Sequence, residues 1–416
     1  MRDGVIEAVL RAEQARERFG AYEVVELDQH VLIPGLVNAH THAAMTLMRG
    51  LADDLPLMRW LEDHIWPAEK RHVSADFVRD GTLLACAEML RGGITCFNDM
   101  YFFPEAALES ALAAGMRSAH GVIVIEFPSA YAADAADYLR KGLELRDRYR
   151  DEPLASFCLA PHAPYTVSDE TLRKVATLAN ELDLPVHIHL HETRDEIDRS
   201  LAEHGVRPLE RLARLGVLGP NLIAVHAVHL EPSEIALLAR HGASIAHCPS
   251  SNLKLASGFA PIGAAQAAGI NVALGTDGAA SNNRLDMFQE MRTAALLAKA
   301  VARDPQALPA HAALRAATLG GAQAIGLADK TGSIVPGKAA DLVALAMEGP
   351  ELEPCFDPVS HLVYAAGREH VTHVWVAGEA RVLEGKLLGK LQNEARSGLD
   401  TRVQLWQNAL GGLAGP

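Results

Sequence analysis

Two hydrophobic rhythms alternate along this chain. Short apolar runs that read as buried strands are separated by longer stretches in which Leu, Ala and Val recur at helical spacing. The strand-like runs fall at 31–42, 94–97, 119–125, 155–160, 185–190, 222–226, 244–247 and 271–275. Helical patterning covers 54–66, 74–91, 171–182, 233–241 and 286–302, with Ser74 as an N-cap and Gly92-Gly93 as a stop for the second of these. Roughly eight strand–helix units in series predict an α/β protein built as a (β/α)8 TIM-like barrel. An open doubly wound sheet is the alternative, but no Gly-x-Gly-x-x-Gly follows any of the strands. Outside the barrel, 5–9, 22–27, 332–345 and 371–378 read as short strands and turns. Two β-rich ends around a long middle predict a small discontinuous β-sandwich domain formed by both termini. The expected division is 1–35 and 331–390 for the small domain, 36–330 for the barrel, and 391–416 for a C-terminal tail or helix.

Composition narrows the function classes. A net charge of −14 argues against nucleic acid and against an anionic membrane surface. Charge or glycine interrupts every apolar stretch well short of the ~20 residues of a membrane helix. The N-terminus has no signal-peptide core, and the five cysteines are scattered without a Cys-x-x-Cys. These features predict free thiols and a cytoplasmic location.

In a (β/α)8 barrel the reactive groups sit at the C-terminal ends of the strands. The first strand ends on His40 and His42, which share a face because side chains alternate with a period of two. The fourth ends at His162, the fifth runs through His187, His189 and His191 to Glu192, and the sixth ends at His226, with His229 as a rival. The seventh ends at His247 and the eighth at Asp277. His40, His42, His189 and Asp277 form a set of imidazoles and one carboxylate that suits a single catalytic Zn2+, with Fe2+ as the alternative. His189 is preferred over its neighbours because Glu192 follows three residues on, past the strand end, whereas His187 lies deeper and reads as a core histidine. Glu192 is a carboxyl of the kind that moves protons in the hydrolysis of an amidine.

These motifs resemble the amidohydrolase superfamily, in its mononuclear aminohydrolase branch, and most of all the 5′-methylthioadenosine/S-adenosylhomocysteine deaminases. The resemblance rests on Pro34 to His42, Leu190-His191-Glu192-Thr193, Pro249 to Lys254 and Gly275 to Asn283, together with Arg49 to Leu55, Trp60 and Glu69. It runs from about residue 2 to 385. It implies one divalent cation per subunit on His40, His42, His189 and Asp277, with Glu192 as the proton shuttle. It further implies that His226 orients the attacking water, that Glu69 accepts from the ribose hydroxyls, and that His162 and Trp60 lie against the nucleoside. The implied partner is a small nucleoside, and the implied assembly a homodimer or higher homo-oligomer. Where binuclear relatives place a bridging Lys on the fourth strand, this chain has His162, which favours deamination over cyclic-amide hydrolysis. Family members that accept S-adenosylhomocysteine use arginines after the third strand; 118–131 here has none, and Phe127 and Tyr131 are expected to form an apolar wall. The expected reaction is therefore deamination of 5′-methylthioadenosine, with S-adenosylhomocysteine or adenosine as weaker substrates. Competing expectations are a guanine deaminase, a triazine or ammeline hydrolase, and a barrel scaffold without catalysis. Family members also carry β residues ahead of the segment matching Met1 to Gly4, so the small sheet is expected to lack its first strands.

Overall fold

The computed structural model describes residues 1–411, with 394–397 through their backbone alone; residues 412–416 of the expected tail lie outside the described residues. Strand β1 (His30–Pro34) leads directly into β2 (Leu36–Thr41), yet the two belong to different sheets. The single apolar run read at 31–42 is thus two strands that part at Gly35, where a Cβ would meet the Thr95 side chain at 2.0 Å.

Strands β2, β3 (Ile94–Asp99), β4 (Arg117–Val124), β5 (Ala155–Pro161), β6 (Val186–Leu190), β7 (Leu222–His226), β8 (Ser244–His247) and β9 (Asn271–Leu274) form one parallel sheet in chain order, with helices between them. Nearly every residue of these strands is buried, because helices cover one face and barrel side chains the other. That is why the sequence showed continuous apolar runs there. The ring closes between β9 and β2 through Asn38. Its Oδ1 accepts from the Thr276 N–H (2.9 Å) and its Nδ2 donates to Thr276 Oγ1 (2.7 Å). The helix Ala75–Arg91 begins on Ser74, whose Oγ accepts from the Phe77 N–H, and stops at Gly92.

Both termini build a second, antiparallel sheet in the order β1, β10 (Leu342–Ala346), β11 (Val371–Val376), β12 (Glu379–Leu383) and β13 (Lys386–Leu387). Val343, Leu345, Val374, Val376 and Val382 turn toward the barrel and join its core. Ile6, Leu27 and Ile334 pack on the other face, against Leu342, Ala344 and Trp375. A buried ion pair ties this sheet to the barrel: Arg117, which opens β4, meets Asp341, just before β10, at 2.8 Å.

Three expectations need correction. The expected strand at 5–9 is reduced to isolated bridges of Val5 with Arg2 and Ala339. No strand forms at 22–27, where Val24 and Val25 are exposed; the neighbouring Ala12–Phe19 is instead a helix that buries no residue. That helix was missed because its strong helix formers carry no apolar stripe, and pattern reading depends on one. Finally, the helix expected at 54–66 begins at Leu57 and continues to His72 across Pro67. Pro67 removes a backbone donor, and a π-helical turn at Leu61–Ile65 carries the chain past that gap.

Candidate active site

The C-terminal rim of the barrel gathers the histidines. His40 lies on β2 and His42 just beyond it, while Asp277 stands in the turn after β9. His40 Nε2 and His42 Nε2 each lie 3.4 Å from Asp277 Oδ1. Ligand atoms bound at 2.0–2.1 Å in a tetrahedral zinc site are about 3.4 Å apart, so this spacing fits a shared cation. The ligating atoms of His40, His42 and His189 lie within 4.8 Å of one another, as do those of His40, His226 and Asp277.

Hydrogen bonds behind the rings fix their tautomers. His42 Nδ1 donates to the Met100 carbonyl (2.5 Å) and His189 Nδ1 to the His162 carbonyl (2.7 Å), which leaves both Nε2 lone pairs facing inward. His40 Nδ1 lies 2.9 Å from His187 Nε2, and His40 Nε2 is buried without a protein partner. An orphaned imidazole nitrogen aimed at a carboxylate oxygen is what a divalent cation would satisfy. The charge states agree. Burial pushes His40 down to about 4 and His189 well below its ordinary value, so both are neutral donors. Burial alone would raise Asp277, but His40, His42 and His226 together hold it well below the usual carboxylate range.

Asp277 is fixed from several directions. Its N–H donates to the His40 carbonyl (3.1 Å), and Ser251 Oγ (2.6 Å) and Ser281 Oγ (2.8 Å) donate to Oδ2. The Gly278 N–H donates to Oδ1 at 2.7 Å. Asp277 and His226 both adopt left-handed backbone, at φ 59° and 69°. For residues with a Cβ that conformation persists only where surroundings enforce it, and such residues cluster at functional sites.

Glu192 follows β6, with Oε2 3.7 Å from His226 Nε2. Burial raises its carboxyl above the usual range, His226 opposes the rise and Asp277 adds to it. The His191 and Glu192 N–H groups both donate to Glu196 (3.0 and 2.9 Å), which sets the turn. His226 Nδ1 donates to Asn252 Oδ1 (2.8 Å), so its Nε2 faces Glu192.

A cleft opens over this rim, and His42, His189, Glu192, His226 and Asp277 form part of its wall. Trp60, Glu69 and His162 line it too. Its remaining wall is largely apolar, with Leu57, Leu61, Ile65, Phe102, Ile125 and Phe127, and among the described residues it includes no lysine or arginine. Tyr131, expected in this wall, packs instead on Phe103 and Tyr138.

The rival histidines point elsewhere. His191 Nε2 accepts the Leu209 N–H (3.0 Å), and His229 Nε2 donates to the Ser257 carbonyl (2.8 Å). His187, read as a core histidine, is buried and sits behind the cluster as the partner of His40. Ser251, Ser281, Asn252, Glu196 and Tyr101 were not singled out as working residues from the sequence. Ser281 reads as a turn residue, and nothing local connects Ser251 or Tyr101 to carboxylates elsewhere in the chain.

Fold and site together define a parallel (β/α)8 barrel with a histidine-rich candidate metal centre at its C-terminal rim. The chain belongs to the amidohydrolase family, which it matches over residues 31–381. It is 48% identical, over 98% of its length and 91% of the relative's, to a 5-methylthioadenosine/S-adenosylhomocysteine deaminase of Teredinibacter turnerae. It is 46% identical to a 5′-deoxyadenosine deaminase of Methanothermobacter thermautotrophicus, across 88% of this chain and 84% of that one. A crystal structure of an adenosine deaminase from Xanthomonas campestris with bound zinc superposes with a TM-score of 0.95 at 50% identity, covering 99% of this chain and 92% of that one.

Proposed function

We propose that this enzyme hydrolytically deaminates an adenine nucleoside, with 5′-methylthioadenosine as the preferred substrate and S-adenosylhomocysteine or adenosine as weaker ones. One observation carries the reading. A single cleft joins Glu192, a buried carboxyl beside the histidine cluster, to a second carboxyl, Glu69, that can receive a sugar diol. The deaminase names of the relatives support it.

A divalent cation held by His40, His42, His189 and Asp277, zinc first and iron(II) as the alternative, would supply Lewis acidity that lowers a water's pKa from ~16 to about 7. Glu192 takes the proton of the attacking water and delivers it to N1 of the adenine ring, then passes a proton to the departing 6-amino group. His226, aligned by Asn252, steadies the oxygen that adds to C6. Water and the nucleoside enter, and ammonia and the inosine analogue leave.

Selectivity follows from what the cleft wall omits. The amino-acid tail of S-adenosylhomocysteine brings a carboxylate that must shed water, and no lysine or arginine of the wall is there to receive it. A methylthio group loses nothing against Phe127, Ile125 and Leu61. Ammonia release from methylthioadenosine, S-adenosylhomocysteine, adenosine, guanine and ammeline tests the proposal. The highest kcat/KM is expected for methylthioadenosine; a free base turned over faster than every nucleoside would overturn it.

A further inference from the structure

The carboxyl of Glu69 is engaged by the protein itself. Tyr101 Oη donates to Glu69 Oε1 at 2.8 Å, and among the described residues no other side-chain or backbone group bonds to that carboxyl. Tyr101 is buried, so its phenol has little freedom to leave. It stands two residues past β3, next to Met100, whose carbonyl receives His42 Nδ1. Glu69 arrives from a separate element, the helix Trp66–His72. One dipeptide therefore holds both a candidate metal ligand and the carboxyl proposed to meet the sugar.

Resting on the nucleoside reading above, we infer that Tyr101 is a positioning residue that sets substrate specificity: its hydroxyl fixes Glu69 so that the remaining oxygen lone pairs meet a vicinal diol at a set distance from the histidine cluster. A carboxylate offers about four acceptor positions. The phenol fills one and leaves enough for two hydroxyls. Without it, Glu69 loses the one hydrogen bond that opposes the upward push of burial on its carboxyl and regains rotamer freedom, so that ordering it falls to the substrate.

Tyr101→Phe removes only the oxygen. Its readouts are kcat, KM and metal content with adenosine, 2′-deoxyadenosine and 3′-deoxyadenosine. The wild type should favour adenosine over both deoxy forms by about tenfold or more in kcat/KM, the scale of a hydrogen bond to a charged group. In the variant, kcat and metal content should stay within about twofold, KM for adenosine should rise about tenfold, and the preference over the deoxy forms should shrink in step. In a Glu69→Gln background the same change should leave KM where it is. A wild type indifferent to the three sugars would overturn the ribose reading of Glu69. A discriminating wild type matched by an equally discriminating variant would overturn the role of Tyr101 alone. Loss of kcat together with metal would also overturn it, by assigning Tyr101 to the support of His42.

Discussion

Asp277 combines a strained backbone with two hydroxyl donors on one oxygen, and that combination makes its partners testable. Ser251 and Ser281 orient Oδ2 and so aim Oδ1 at the imidazoles. Groups that orient a ligand typically contribute 10- to 100-fold in metal affinity or activity. Ser251→Ala and Ser281→Ala should each lower zinc affinity or kcat by about that factor while the melting temperature of the metal-free protein holds; zinc titration against a competing chelator reads the first directly. Glu192→Gln should lower kcat by about 10²- to 10⁴-fold with the cation retained, the usual loss for a general acid–base group. Near-wild-type turnover with metal bound would remove Glu192 from the role proposed for it. These residues differ in how far sequence could find them. The placement of His40 with His42 follows from period-two alternation, and that of His226 and Asp277 from their positions at strand ends. Ser251 and Ser281 sit in two different short helices, Pro249–Lys254 after β8 and Ala279–Asn282 after β9, and meet only because those strands are neighbours, so no local pattern marks them. Tyr101, just past β3, meets Glu69 only because the connection between β2 and β3 that carries Glu69 folds over the rim.

Among the elements, those with a strong hydrophobic period were the legible ones. The barrel strands are legible because helices cover one face and side chains fill the other, so that buried apolar residues dominate even where polar ones such as Asn38, His40 and His187 interrupt them. The segment at 57–72 was harder, since Pro67 reads as a stop and only a π turn lets the helix run on to deliver Glu69. The exposed helix Ala12–Phe19 gave no stripe to read. The junction between the two sheets was invisible, because the Arg117–Asp341 pair spans residues far apart in the chain. Asp341 is fully engaged there: the Arg117 guanidinium bonds both of its oxygens, and the Ala377 N–H donates to Oδ1 at 2.7 Å. Removing one partner of a buried pair leaves the other charged and unpaired, at about 3–5 kcal/mol. Arg117→Leu should therefore lower unfolding free energy by about that amount in urea, with kcat of the folded fraction unchanged, because the pair lies away from the cleft. A variant as stable as the wild type would show that the small sheet is held on by its apolar face alone.

For the molecule as a whole, buried ionisable groups outside the proposed ligand set impose a pH dependence with two opposed arms. Burial holds His120, His191 and His247 at about 3, against 6.5 for an ordinary imidazole. Their folded pKa values are depressed, so below pH 6.5 the unfolded chain takes up protons that the folded chain refuses. Stability from these groups is full above that point and is lost as pH falls toward 3. Burial raises Glu196 to about 8 and Glu290 to about 7, against 4.5 for an ordinary glutamate. Here the folded state holds protons that the unfolded state releases, so stability is full below pH 4.5 and is lost as pH rises toward 7 and 8. Between pH 4.5 and 6.5 the two arms overlap and largely offset one another, because His162, at about 3, joins the imidazoles while Glu69, at about 7, and Asp99, raised to about 6, join the carboxyls. Above 6.5 only the carboxyls titrate, and stability falls as pH rises. The melting temperature, scanned from pH 4 to 8.5 at constant ionic strength with zinc in fixed excess, should therefore be highest and nearly level between about pH 4.5 and 6.5 and fall on either side. The acid side should be the steeper, because below pH 4.5 the carboxyls no longer oppose the imidazoles and deprotonated ligands are needed to keep a cation bound. A melting temperature that climbs steadily from pH 6.5 to 8.5 would mean that Glu196 and Glu290 are ionised in the folded protein, with their backbone hydrogen bonds outweighing burial.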